Sequence, residues 1–302
     1  MEKSLMIKEI ERLKKEKNAV ILAHFYQEGD IQDIADFTGD SLYLSQVAAE
    51  TDADIIVFAG VHFMAETAKI LSPGKKVLLP VAEAGCPMAD MVTEVRLRKY
   101  KEENPDRVIV CYVNSTAKVK AMSDICVTSS NAEKIIKHYK DQKLMYVPDK
   151  NLGTYVREKF DLDMEVWPGF CCIHNDLTIF DVMDMRKEYP NAQFIVHPEA
   201  KLDVIKMSDF VGSTKGLLNY VIESNHNEFI VGTEEGILHT MKKACPDKIF
   251  HILSKDLRCY DMKMTHLSDV YLALKEEQYE IEVPEDIRIK AFQAVDKMLK
   301  LS

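Results

Sequence analysis

Short apolar runs alternate with amphipathic stretches along the whole chain. AVILA (19–23), DIIVFAG (54–60), KVLLP (76–80), RVIVCYV (107–113), KLMYV (143–147), QFIV (193–196) and EFIVG (228–232) have the length and β-branched content of buried strands. The segments between them, residues 131–139 and 176–189 among them, carry the apolar spacing of helices. Strand and helix in regular alternation predict an α/β fold with parallel, helix-covered sheets. Residues 4–17 are expected to form an opening helix. Residues 265–276 and 284–301 are expected to form closing helices, with an extra strand near 279–283 between them.

The pattern has a longer period. AMSDICVTSSNAEKII begins at residue 121 and KMSDFVGSTKGLLNYV at 206, so their MSD triplets lie 85 residues apart. LMYVPDKNLGTYV (from 144) and FIVGTEEGILHTM (from 229) keep the same offset. A fainter first copy, IADFTGDSLYLSQVA (from 34), places Ser41 over Ser129 at an offset of 88. The expectation is three pseudo-threefold-related αβα repeats with parallel sheets around a central active site. Residues 1–86 would be the first repeat with its N-terminal helix, and 87–171 the second. Residues 172–302 would be the third, to about 259, plus a closing segment.

The same offsets relate polar pairs at strand ends: His24 and Tyr26, Tyr112 and Asn114, His197 and Glu199. Residues at i and i+2 of an extended chain face one way. Ligands of open α/β sheets bind beyond the carboxyl ends of strands. Three equivalent ends therefore predict one shared site. Ser41, Ser129, Ser213 and Thr214 stand just before expected helices, where hydroxyls and free N–H groups cap the helix or bind anions. Asp40 stands beside Ser41, placed to orient its hydroxyl. Asp33 and Asp36 read as a solvated helix start.

Three of the seven cysteines share the period. Cys86, Cys171 and Cys259 each follow a repeat, in EAGCPMAD, PGFCCIHN and DLRCYDMK. Cys172 stands beside Cys171, and position alone does not separate the two. Cys111 and Cys126 sit inside strand patterns and Cys245 follows a helix, so core packing accounts for them. No CxxC pair occurs, which weakens a zinc-ribbon reading. Three loop thiols on one axis suit a cysteine-bound metal with an open position, either zinc or an iron–sulfur cluster.

Composition narrows the classes. The net charge of −10 argues against a nucleic-acid or acidic-membrane partner. No apolar run approaches a membrane span, and the opening MEKSLMIKEI lacks the apolar core of a secretory signal. A cytoplasmic protein with reduced thiols is expected. No GxGxxG follows the first strand and no GxxxxGK[ST] occurs, so nucleotide-cofactor enzymes are poorly supported.

ILAHFYQEGDIQDIADFTGDSL, GVHFMAETAKILSP, CPMAD, YVNSTAKVKAMSDICVTSSNA, PDKNLG, GFCCIH, IVHPE, VGSTKG and GTEEGI together resemble quinolinate synthases, over about residues 7–300. The resemblance implies a [4Fe–4S] cluster held by Cys86, Cys171 and Cys259, with one iron open as a Lewis acid. Gly169, Cys171 and His174 fit the family's G-x-C-x-x-H pattern, which selects Cys171 over Cys172. Cys259, Met262 and Lys263 fit its C-x-x-M-K pattern. The reaction implied joins iminoaspartate to dihydroxyacetone phosphate, giving quinolinate, phosphate and two waters, the ring-forming step of NAD biosynthesis. A transient aspartate-oxidising enzyme or aspartate dehydrogenase is the implied partner.

The resemblance also implies that the three strand-end pairs belong to the site. Chemistry suggests Tyr26, Glu199, His24 and His197 for proton transfer and anion donation. Tyr112, Asn114, Ser41, Ser129, Ser213, Thr214, Asp40 and His174 are then the substrate-binding set. Two departures stand out. The family reads HNYQ where this chain has His24-Phe25-Tyr26-Gln27, and Lys215 interrupts an STG-like turn. Rival classes are another cluster-dependent hydro-lyase, a zinc hydrolase, and a three-lobed binding or iron-sensing protein.

Overall fold

A computed structural model describes residues 2–302. Twelve strands form three all-parallel sheets of four. The first holds β1 (Ala19–His24), β2 (Phe37–Gly39), β3 (Ile55–Ala59) and β4 (Lys76–Leu78). The second holds β5 (Val108–Tyr112), β6 (Ile125–Val127), β7 (Leu144–Val147) and β8 (Met164–Val166). The third holds β9 (Gln193–Val196), β10 (Phe210–Val211), β11 (Glu228–Gly232) and β12 (Ile249–Ile252). Each sheet has its second strand outermost, then first, third and fourth: β2-β1-β3-β4, β6-β5-β7-β8 and β10-β9-β11-β12. Helices intervene between successive strands throughout all three lobes, which makes this a three-repeat α/β fold.

The repeat reaches single hydrogen bonds. Asp36, Asp124 and Asp209 each accept the N–H of the residue fifteen positions earlier, Ile21, Ile109 and Phe194, at 2.8 Å. They too lie 88 and 85 residues apart. Asp36 therefore ties the outer strand to the central one. Its second carboxylate oxygen meets Lys14 Nζ at 2.8 Å, so the reading of Asp36 as a solvated helix start is corrected.

The seven strands expected from periodicity are all present, with ends shifted by a residue or two. The five that are new, β2, β6, β8, β10 and β12, run for two to four residues, too short to display a period. The opening helix Lys3–Glu16 and the closing helix Leu267–Glu276 cover one face of the first sheet through Ile10, Leu13, Val270 and Leu274. The last helix, Glu285–Leu301, packs Ala291, Ala294 and Val295 into the core shared by the first two lobes. The extra strand expected near 279–283 is reduced to a single antiparallel bridge, Glu280 to Leu78, with no ladder beyond it.

Phe25 settles its own departure. It is 5% exposed and belongs to the third lobe's core, with Leu217, Leu218 and Phe229. A first-lobe aromatic thus rivets two lobes together. Phe25→Ala is expected to cost about 3–5 kcal/mol, read as a lowered urea midpoint at unchanged m-value. An unchanged midpoint would show that the lobes do not depend on this contact.

Candidate active site

The carboxyl ends of β1, β5 and β9 converge on one cavity of ≈ 890 Å³, counted out to its open mouth. Cys86, Cys171 and Cys259 all line it, one supplied from the end of each lobe. Cys86 caps the turn Pro87–Asp90 and Cys171 caps Cys172–Asn175, while Cys259 precedes the 3-10 turn Asp261–Lys263. Cys171 Sγ lies 3.3 Å from His174 Nδ1. Cys172, beside it, is exposed at the cavity edge.

The chemistry of this donor set suits a cation. Burial raises all three thiol pKa values, that of Cys259 to about 12, and the negative charge of Glu199 adds to the effect at Cys86 and Cys171. A cation reverses that balance, because thiol coordination to a metal displaces the proton. A second possible set overlaps the first: one ligand atom each from Cys171, His174 and Glu199 lie within 4.8 Å of one another.

His24 and His197 occupy equivalent places and are held in the same way. Nδ1 of His24 accepts the Tyr26 N–H at 3.1 Å, and Nδ1 of His197 accepts the Glu199 N–H at 3.3 Å. An N–H can only donate, so each ring carries its proton on Nε2. Burial lowers both pKa values to about 3. The unfolded histidines protonate below about pH 6.5 and the folded ones do not until about pH 3. Across that window the unfolded state binds more protons, so stability falls as pH falls. Each histidine contributes a slope of about 1.4 kcal/mol per pH unit. His24→Asn is expected to make the urea-derived stability curve shallower by that amount, and an unchanged slope would contradict the neutral assignment.

Glu199, 4% exposed, is the hub of the cavity wall. Its Oε1 accepts from the Tyr112 hydroxyl at 2.6 Å and its Oε2 lies 2.8 Å from His174 Nδ1. Burial opposes ionisation, but the His197 and His174 rings and the Tyr112 hydrogen bond outweigh it and hold the carboxyl below its usual range. His174 Nε2 lies 2.9 Å from Thr233 Oγ1, which lies 2.7 Å from the Tyr26 hydroxyl. Tyr26 also touches Thr214 Oγ1 at 3.0 Å. Burial and nearby Glu199 push the Tyr26 and Tyr112 pKa values well up, so both phenols are proton donors. A continuous chain of close polar contacts thus runs Tyr26–Thr233–His174–Glu199–Tyr112 across all three lobes.

Of the substrate-binding candidates, Ser41, Ser129 and Thr214 line the cavity, as do Asn114 and Tyr112. The Oδ1 atom of Asn114 is buried without a partner, free to receive a ligand donor. Ser213 and Asp40 have other work. Ser213 caps the helix Thr214–Glu223 and is not part of the cavity wall. Asp40 lies at the wall, but its carboxylate accepts the Tyr43 N–H at 2.9 Å and the Ser130 hydroxyl rather than orienting Ser41. Ser130 Oγ also lies 2.7 Å from Ser213 Oγ, whose proton it accepts while its own goes to Asp40, so one small hub joins the three lobes. Lys215 places Nζ 5.3 Å from the Tyr43 ring centre and does not line the cavity.

Sequence reasoning missed Thr233, Glu234, Ser130 and Asp149. The 85-residue offset relating PDKNLG to TEEGIL pointed at Asp149 and Glu234 as equivalent positions, but one sequence does not say which acid of a Glu-Glu pair turns inward.

Three α/β lobes that gather acid–base side chains and three thiols in one cavity define an enzyme for small molecules. Residues 8–300 match the family model described as NadA: Quinolinate synthetase A protein. The quinolinate synthase of Alkaliphilus metalliredigens is 53% identical over 302 residues, covering 100% of both chains. That of Clostridium kluyveri is 49% identical, again over 100% of both. Quinolinate synthase 2 of Methanosarcina acetivorans is 48% identical over 100% of this chain and 97% of its own. The chain belongs to the quinolinate synthase family. Among the described residues, no helix is long and apolar enough to cross a membrane.

Proposed function

We propose that this chain condenses iminoaspartate with dihydroxyacetone phosphate to quinolinate, releasing phosphate and two waters, as a transferase of NAD biosynthesis. The carrying observation is the single cavity that gathers Cys86, Cys171 and Cys259 with the Tyr26-to-Tyr112 chain of polar contacts. The three thiols would hold a [4Fe–4S] cluster, which supplies Lewis acidity toward a substrate hydroxyl or carboxylate through its uncoordinated iron.

The protein's side chains account for the rest. Ser41, Ser129 and Thr214 offer hydroxyls to the phosphate. The free N–H groups opening the helices Ser41–Glu50 and Thr214–Glu223 add positive potential there. The Nε2–H groups of His24 and His197 donate to substrate oxygens without bringing a fixed charge. Asn114 and the Tyr112 hydroxyl fix the intermediate's orientation. Glu199, ionised and facing the cavity, accepts protons during tautomerisation. Tyr26 exchanges a proton with His174 through Thr233, so donor and acceptor are reset within one network. The buried wall keeps bulk water from the reacting imine. Because that imine hydrolyses in water, a transient aspartate-oxidising enzyme or aspartate dehydrogenase in the same cytoplasm would supply it.

The test is an anaerobic assay with iminoaspartate generated in place. Quinolinate and phosphate appearing in equal amounts support the proposal; phosphate release without quinolinate removes it. A second reading rests on the Cys171–His174–Glu199 group, whose compactness suits one zinc ion. Metal analysis separates the two, since zinc without labile sulfide would favour the second.

A further inference from the structure

At the cavity wall lies a buried ion pair to which the proposed chemistry gives no role. Lys263 is 7% exposed and Glu234 is 0% exposed. Lys263 Nζ lies 3.0 Å from Glu234 Oε1 and donates to the Tyr26 carbonyl at 2.5 Å. Glu234 Oε1 in turn accepts the Cys259 N–H at 3.1 Å, and Oε2 accepts the Gly236 N–H at 2.7 Å. Gln27 adds a parallel tie, donating to the Met262 carbonyl at 2.7 Å. The fit is close: a Cβ on Gly236 would come within 2.8 Å of both Lys263 Nζ and the Phe25 carbonyl oxygen.

The preceding repeat uses the same device. Asp149, 85 residues before Glu234, is 0% exposed, and its Oδ2 accepts the Cys171 N–H at 3.3 Å. Its Oδ1 holds the N–H groups of Asn151 and Leu152. A buried carboxylate thus grips the backbone of two of the three cysteines. In the first repeat the equivalent residue is Val61, and the backbone beside Cys86 is held instead by Asp261, whose Oδ1 accepts the Gly85 N–H at 3.2 Å. Only in the third repeat does the acid carry a lysine that reaches another lobe.

We propose that Glu234 and Lys263 are positioning residues that lock the Cys259 loop to the strand end carrying Tyr26, so that the metal-binding and proton-transfer halves of the site are set by one contact. This rests on the cluster reading only for its metal half. A buried pair broken on one side leaves an uncompensated charge, so each member depends on the other. Removing Lys263 frees the Tyr26 carbonyl and lets Glu234 reorient, which loosens Cys259 although no ligand is altered. Partners of this kind change metal affinity by about 10–100-fold when removed.

The test uses anaerobically prepared holoprotein of the wild type, Glu234→Gln and Lys263→Met. The Gln variant is isosteric and keeps an acceptor for the Cys259 N–H, so it guards against a Lys263→Met chain that fails to fold. Cluster bleaching by a chelator is expected to be about 10–100-fold faster in each variant. Amide hydrogen exchange on the full chain is expected to speed up together in the segments 24–27 and 257–263, with other core segments unchanged. Wild-type bleaching rates, or faster exchange confined to one of the two segments, overturn the proposal, even if the melting temperature falls. Exchange is readable with or without iron. A wild type that takes up no cluster therefore sinks the metal reading, while the exchange pattern still decides whether the pair links the two segments.

Discussion

Cys171→Ser is expected to abolish binding of the proposed cluster, whereas Cys172→Ser is expected to leave that binding in place. The two sulfurs are neighbours in sequence but not in environment. Cys171 lines the cavity, lies 3.3 Å from His174 Nδ1 and has its own N–H fixed by buried Asp149. Cys172 opens the following helical turn and is exposed. A hydroxyl at 171 cannot replace a soft thiolate toward iron. Activity of Cys171→Ser is expected to fall by at least about 100-fold, since even partners outside the ligand set cost up to that much. Cys86→Ser and Cys259→Ser should behave like Cys171→Ser. The visible absorption of the anaerobically reconstituted variants checks this. A colourless Cys172→Ser beside a coloured Cys171→Ser would reverse the assignment.

Glu199→Gln is expected to keep the cluster and lose turnover by about 100- to 10,000-fold. The amide fills the same space, so the cavity and the three thiols are retained. It cannot take a proton, and it presents only one accepting oxygen to partners that now use two, Tyr112 on Oε1 and His174 on Oε2. The His174–Thr233–Tyr26 arm loses its anionic end, and the proton relay fails at that point. Measured kcat at saturating substrate, with iron and sulfide content of the same sample, separates a chemical defect from a metal defect. Full activity in the variant would remove Glu199 from proton transfer, and loss of iron would recast it as a residue that maintains the metal site.

Much of this site was legible because it repeats. A period of 85 to 88 residues fixes strand ends and cysteines together, and three functional groups sharing that spacing are hard to assign to separate places. The central strands were legible because each is an unbroken apolar run, as in Ile55–Ala59, where every residue is buried. What escaped depends on side-chain direction. Ser129 was placed over Ser41 by the offset, yet its neighbour Ser130 bonds Asp40 and Ser213, because the helix Ala132–His138 begins three residues later in the repeat than Ser41–Glu50 and leaves 129–131 in a turn. Asp36 belongs to an acidic run that composition alone assigns to solvent; only pairing in the parallel sheet shows its carboxylate meeting the Ile21 N–H. Lys263 had a motif position but no visible role, since its partners Glu234 and Tyr26 lie 29 and 237 residues away.

The central claim is that three thiols from three lobes bind one cluster at the mouth of a shared proton network. Iron and acid-labile sulfide measured on the anaerobically isolated chain test it most directly. The account predicts about four of each per chain, falling together to near zero in Cys86→Ser, Cys171→Ser and Cys259→Ser. One zinc per chain without sulfide, or iron that survives loss of any of the three cysteines, would contradict it.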